Sequence, residues 1–146
     1  MSARQPLYLV VSLDVEDEGL FGGQYARRGF STRNTASLKD LAPLCGMGIR
    51  PTLFCAHSVL TDPASCEALA WLRDEHQAEL GAHLHHWNTP PLTLDGTDQS
   101  LPDTAPKVPA AEVPDRLFAA KLATLMQAGK ALLGQPMTSF RMGRWD

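Results

Sequence analysis

Residues 7–13 (LYLVVSL) form a near-continuous apolar run that stops abruptly at acids, with Asp14, Glu16, Asp17 and Glu18 following. An apolar strand that ends in charge is what a parallel sheet covered on both faces requires, and it constrains the fold more than any other feature here. The same device recurs along the chain. Residues 51–56 (PTLFCA) read as a second buried strand, residues 79–82 as a third that runs into histidines, and residues 137–142 as a fourth that runs into an arginine. Helical patterns lie between them. Residues 36–45 place Leu38, Leu41, Leu44 and Cys45 on one face, and Gly46 and Gly48 close the segment. Asp62 followed by Pro63 is an N-cap with proline at the first helical position, opening a helix to about Gln77 with Leu69, Leu72 and His76 inside. Residues 117–133 carry Phe118, Leu122, Leu125, Met126 and Leu133 at helical spacing, with Gly134 as the stop. Residues 15–34, punctuated by Gly19, Gly22, Gly23 and Gly29, read as loop. Alternation of this kind predicts an α/β fold with mostly parallel strands.

The length of 146 residues fits one domain, 1–146. A net charge of −3 excludes the basic footprint of a nucleic-acid binder. No apolar run approaches the roughly 18 residues that span a bilayer, and no cleavable leader pattern is read, so a cytoplasmic protein is expected. Cys45, Cys55 and Cys66 form no close pair, and reduced thiols are expected rather than disulfides or a thiolate zinc site. Within 88–114 lie Pro90, Pro91, Pro102, Pro106, Pro109 and Pro114. This stretch follows the histidines directly and is read as a loop near the site.

Three polar clusters follow strands, where parallel α/β folds gather their sites. The first is Asp14, Glu16, Asp17 and Glu18. Crowded carboxylates repel one another, so they are either solvated loop acids or are neutralised by a metal with one left as a base. The second is residues 81–87 (GAHLHHW), with His83, His85 and His86. Side chains alternate in an extended segment, so His83 and His85 share one side, and two imidazoles with a carboxylate make a common divalent-metal site. A surface histidine run is the plainer alternative. His57 and His76 stand apart and read as structural. The third cluster is residues 140–146 (FRMGRWD). Arg141 can orient a carboxylate, or lie on the surface, and Trp145 is either a sugar platform or a core residue.

Taken in order, these clusters resemble the polysaccharide deacetylase family (carbohydrate esterase family four, the NodB-homology fold). Residues 12–17 (SLDVED) look like its first motif in an Asp-Val-Glu-Asp variant, residues 79–87 (ELGAHLHHW) like its second, and residues 140–145 (FRMGRW) like its third. Residues 51–54 (PTLF) are similar to its second strand. Two departures stand out. Asp14 is followed by Val15 where adjacent aspartates are commoner, and position 87 is Trp87 where a histidine is commoner. The second ligand is then His85 or His86, and the acid ligand Glu16 with Asp17 as the fallback.

The resemblance implies a partial (β/α) barrel and removal of N-acetyl groups from an amino-sugar polymer. It implies a divalent metal, Zn²⁺ foremost, on Glu16, His83 and His85. Asp14 would be the catalytic base, held ionised by Arg141, with Trp87 and Trp145 against the sugar. The family continues past the arginine with two further motifs, so the C-terminal part of the barrel is expected to be missing and the fragment weakly active or inactive. Four strands leave open edges, and self-association is expected. The rival readings are a metal-independent C–N hydrolase of a small amide and a non-catalytic carbohydrate-binding or interaction module on the same fold.

Overall fold

The computed structural model describes residues 7–92 and 109–144. Most of the proline-rich stretch, and Trp145, lie outside the described residues. Four strands, β1 (Ser12–Val15), β2 (Thr52–Ala56), β3 (Glu79–Leu84) and β4 (Phe140–Met142), make one sheet in the order β1-β2-β3-β4. All three pairings are parallel, and the sheet curls into a half-barrel. The expected α/β architecture with parallel strands is therefore present.

The register explains how one sheet carries both core and chemistry. Asp14, Phe54 and Gly81 stand in one row, and Ala56, His83 and Arg141 in the row that follows on the same face. The alternate positions Val15, Leu53, Cys55, Leu80, Ala82 and Leu84 are buried and pack with the helices. The strands are thus apolar towards the helices and carry Asp14, His83 and Arg141 on the other side. The expectation of strands apolar on both faces is corrected accordingly. The alternation was hidden because Ala56 and Gly81 on the site face are small rather than charged.

The first strand is also shorter than 7–13. Leu7, Tyr8, Leu9 and Val10 are between 76% and 98% exposed and have no partner strand among the described residues. Pairing begins where Thr52 N–H donates to Val11 O at 3.0 Å, because β2, the one strand beside β1 among the described residues, starts only there. Its approach is a turn through Gly48 at φ 86°.

Between β1 and β2 runs a 3-10 helix, Arg33–Leu41, that passes into the short α1 (Ala42–Gly46). The expected single helix over 36–45 is split there, and Pro43 sits in the first turn of α1, where its missing N–H costs no helical bond. After α2 (His57–Leu60), α3 (Pro63–His76) opens as expected, with Asp62 Oδ2 accepting from Ser65 N–H at 2.8 Å. Leu69 and Leu72 are buried in the core, whereas His76 is only half-buried and packs edge-on against Trp71. The last helix, α4 (Asp115–Leu133), ends at Gly134 in the left-handed region. Its buried seam is Leu117, Lys121, Leu125 and Gly129, rotated from the expected stripe, of which Phe118, Leu122, Met126 and Leu133 are half-buried. The three cysteines are free, and burial pushes the Cys55 thiol far up.

Candidate metal centre

Glu16 leaves the end of β1, and its carbonyl accepts from Asn34 Nδ2 at 3.1 Å, which ties the acidic loop to the 3-10 helix. His83 is the penultimate residue of β3, and His85 follows the strand. The two histidines bring Nε2 to the same atom, Glu16 Oε2, at 3.1 Å from His83 and 3.0 Å from His85. One ligand atom from each of the three residues lies within 4.8 Å of the others. His83 and His85 are 1% and 0% exposed.

The backbone partner of His83 fixes which of its ring nitrogens carries hydrogen. His83 Nδ1 lies 3.3 Å from the carbonyl of Arg141. A carbonyl only accepts, so Nδ1 carries the hydrogen and donates it, and in a neutral ring Nε2 is left with a lone pair. That lone pair faces the oxygen of a carboxylate. Two acceptors do not approach to 3.1 Å unless a cation, a proton or a metal ion, lies between them. Around Zn²⁺, N and O donors sit at about 2.0–2.2 Å, so a set whose Glu16 pairs are 3.0 and 3.1 Å apart, with all three atoms within 4.8 Å, can close on a shared ion through side-chain movement. The cluster could hold a metal ion.

Where that cation is a proton, the imidazoles donate to Glu16. Burial opposes ionisation of Glu16, but hydrogen bonds from both histidines and their charge outweigh it and lower its carboxyl to about 2. Burial also opposes charge on His85, and there the Asp17 and Glu16 carboxylates prevail and push the imidazole up.

Asp14 stands beside the triad, with Oδ1 4.0 Å from His83 Nδ1. Arg141 donates from Nη1 to Asp14 Oδ1 at 2.7 Å and from Nη2 to Ser12 Oγ at 2.7 Å. Its guanidinium lies 4.1 Å from the centre of the Phe54 ring, a cation–π contact that fixes its plane. The expected proximity of Asp14 and Arg141 is therefore present, and Ser12 and Phe54 are parts of the arrangement that sequence patterns did not reveal.

Other candidates fall into different places. Asp17 is buried, accepts from Asn88 Nδ2, and sits 3.7 Å from His85 Nδ1, behind that ring rather than among the three ligands. His86 is buried edge-on to Trp87 and lies outside the cluster. Trp87, expected to touch substrate, is 1% exposed. It stacks on His85 with centroids 4.3 Å apart and planes 20° apart, while Tyr25 packs edge-on against it at 5.3 Å. That is a correction: a buried indole cannot offer a sugar its face, and here it backs a histidine. His57 is half-buried just past β2, where burial lowers its pKa against the pull of Asp17.

Gly143 matters through what it lacks. A Cβ there would fall onto the His85 ring and 2.7 Å from Leu84 O, so only glycine lets the chain after β4 pass this closely. Its N–H donates to that same carbonyl at 2.9 Å. The Arg-x-Gly spacing was thus a signal for the site in its own right.

In comparisons with known proteins, no family model, curated protein or solved structure matches this chain.

Proposed function

We propose that Glu16, His83 and His85 hold one divalent cation, Zn²⁺ by the nature of the donors, and that the chain carries the catalytic face of a hydrolase that removes N-acetyl groups from an amino-sugar polymer. The observation that carries the reading is the convergence of two buried Nε2 atoms on one carboxylate oxygen beside a carboxylate held by an arginine. The substrate class rests on the resemblance of residues 12–17, 79–87 and 140–145 to the polysaccharide deacetylase motifs.

A bound divalent ion supplies Lewis-acid polarisation of a carbonyl and lowers the pKa of a water to about 7. The chain's own residues do the rest. Asp14, held by Arg141 through Oδ1, takes the proton from the attacking water. Oxygen joins the acetyl carbon, the C–N bond breaks, and the proton is passed to the departing nitrogen, giving acetate and a free amine. Arg141 keeps Asp14 aimed by bonding it and Ser12 together. His83 keeps its metal-facing nitrogen deprotonated by donating Nδ1–H to the Arg141 carbonyl.

The test is acetate release from N-acetylglucosamine oligomers by the metal-stripped chain, with and without added Zn²⁺. Release that requires the metal is expected. Release without metal would instead support a metal-independent C–N hydrolase, and tight metal binding without turnover, even in a longer form of the protein, a binding module.

A further inference from the structure

Lys121 is the one charged side chain in the buried seam of α4, flanked a turn away on each side by Leu117 and Leu125. Its relative exposure is 0%. A lysine is almost never found fully buried without a partner, and an apolar residue would fill this seam without the cost of desolvating an ammonium. Its Nζ donates to the backbone carbonyl of Thr89 at 2.6 Å. Thr89 in turn donates its N–H to His85 O at 2.9 Å, and Asn88 N–H reaches the same oxygen at 3.4 Å. Asn88 also donates through Nδ2 to Asp17, the carboxylate behind the His85 ring. Lys121 therefore ends a short chain of bonds that runs from the helix layer through the turn at 85–89 to the backbone of a candidate ligand.

We propose that Lys121 is a positioning residue for the metal centre: it clamps the Thr89 carbonyl and so fixes the turn that presents His85. The inference rests on the metal reading above. His85 is already hemmed by Trp87 on its face and by the backbone at Gly143. Those contacts restrain the ring, whereas the backbone that carries the ring is anchored through Thr89. Without the clamp, His85 can retreat from the point it shares with His83 and Glu16. Loss of an outer partner of a metal ligand typically lowers metal affinity about 10–100-fold.

The test uses the full chain, stripped of metal and titrated with Zn²⁺ against a chromophoric chelator, with Co²⁺ absorption as a second readout. Lys121→Met is expected to bind about 10–100-fold more weakly than wild type, with altered Co²⁺ bands. Leu125→Ala, one turn along the same seam, is the control: it should unfold at lower temperature yet bind metal as wild type does. Lys121→Gln keeps a donor of shorter reach and should fall between wild type and Lys121→Met. Should Lys121→Met not fold, the comparison of Lys121→Gln with wild type decides, and equal affinity overturns the proposal. Wild-type affinity in Lys121→Met overturns it too, as does an equal loss in Leu125→Ala, which would mean general loosening. A wild-type chain that binds no metal, or binds it unchanged after His83→Ala, overturns the metal reading itself and this inference with it.

Discussion

Arg141 and Asp14, 127 positions apart in the chain, meet at 2.7 Å on the face of the sheet that carries His83. The strand order puts β1 and β4 at opposite edges of the sheet, so this contact spans it. Curling of the sheet and the length of the arginine together make the span possible. Asp14→Asn is expected to lower turnover by about 10²–10⁴-fold, the range for loss of a general base, with metal content unchanged. Acetate release and elemental analysis on the same samples check this. Arg141→Met should lower turnover too, since Asp14 then loses the partner that aims it.

Metal content is the second expectation. One divalent ion per chain should bind, and His83→Ala and His85→Ala should each abolish stoichiometric binding. His86→Ala should retain it, because the ligand atoms that cluster are those of Glu16, His83 and His85. Elemental analysis after exhaustive dialysis distinguishes these outcomes. Loss of metal in His86→Ala alone would refute the ligand set.

Gly143→Ala tests the close approach of the chain to His85. The added methyl meets the imidazole and the Leu84 carbonyl, neither of which can yield freely. We expect a loss of about 1–3 kcal/mol in stability from overpacking and weaker metal binding in the folded fraction. Denaturant unfolding and metal competition measure the two effects separately.

Burial, with Arg27 nearby, lowers the Lys121 pKa from 10.5 to about 8. Below pH 8 both the folded and unfolded chains hold this proton, and the cost of the buried charge is constant. Between pH 8 and 10.5 the folded chain has released the proton and the unfolded chain still binds it, so this group makes stability rise with pH across that window. Lys121→Met should remove that rise. Denaturation midpoints at several pH values from 7 to about 10.5 report it.

The outer edges of β1 and β4 have no partner among the described residues, and the exposed side chains of 7–10 lie just before β1. Such edges and apolar surface favour pairing with another chain. Light scattering should show a mass that grows with protein concentration. A constant monomer mass at high concentration would refute it.

Much of this was readable from the residues because the signals are local. Asp62-Pro63 fixes the start of α3 through one side-chain bond, and the alternation from His83 to His85 fixes which two imidazoles share a side. What could not be read depends on partners distant in the chain. A lysine in an amphipathic pattern reads as surface, and only Thr89, 32 positions away, explains why Lys121 is inside. Trp87 reads as a binding surface until Tyr25 and His85 are seen to enclose it. The apolar run 7–13 looks like a strand along its whole length, but a strand lasts only as long as its neighbour, and β2 begins at Thr52.

Because odd and even positions of β3 serve different masters, the strand has no slack. His83 and Gly81 belong to the face that carries the site, while Leu80, Ala82 and Leu84 belong to the helices. Inserting or deleting one residue upstream of His83 would exchange the two sets, sending imidazole into the oily layer and leucine into the site. Length variation in this chain must therefore come in loops, and the distance along β3 from Glu79 to Leu84 must be inherited whole.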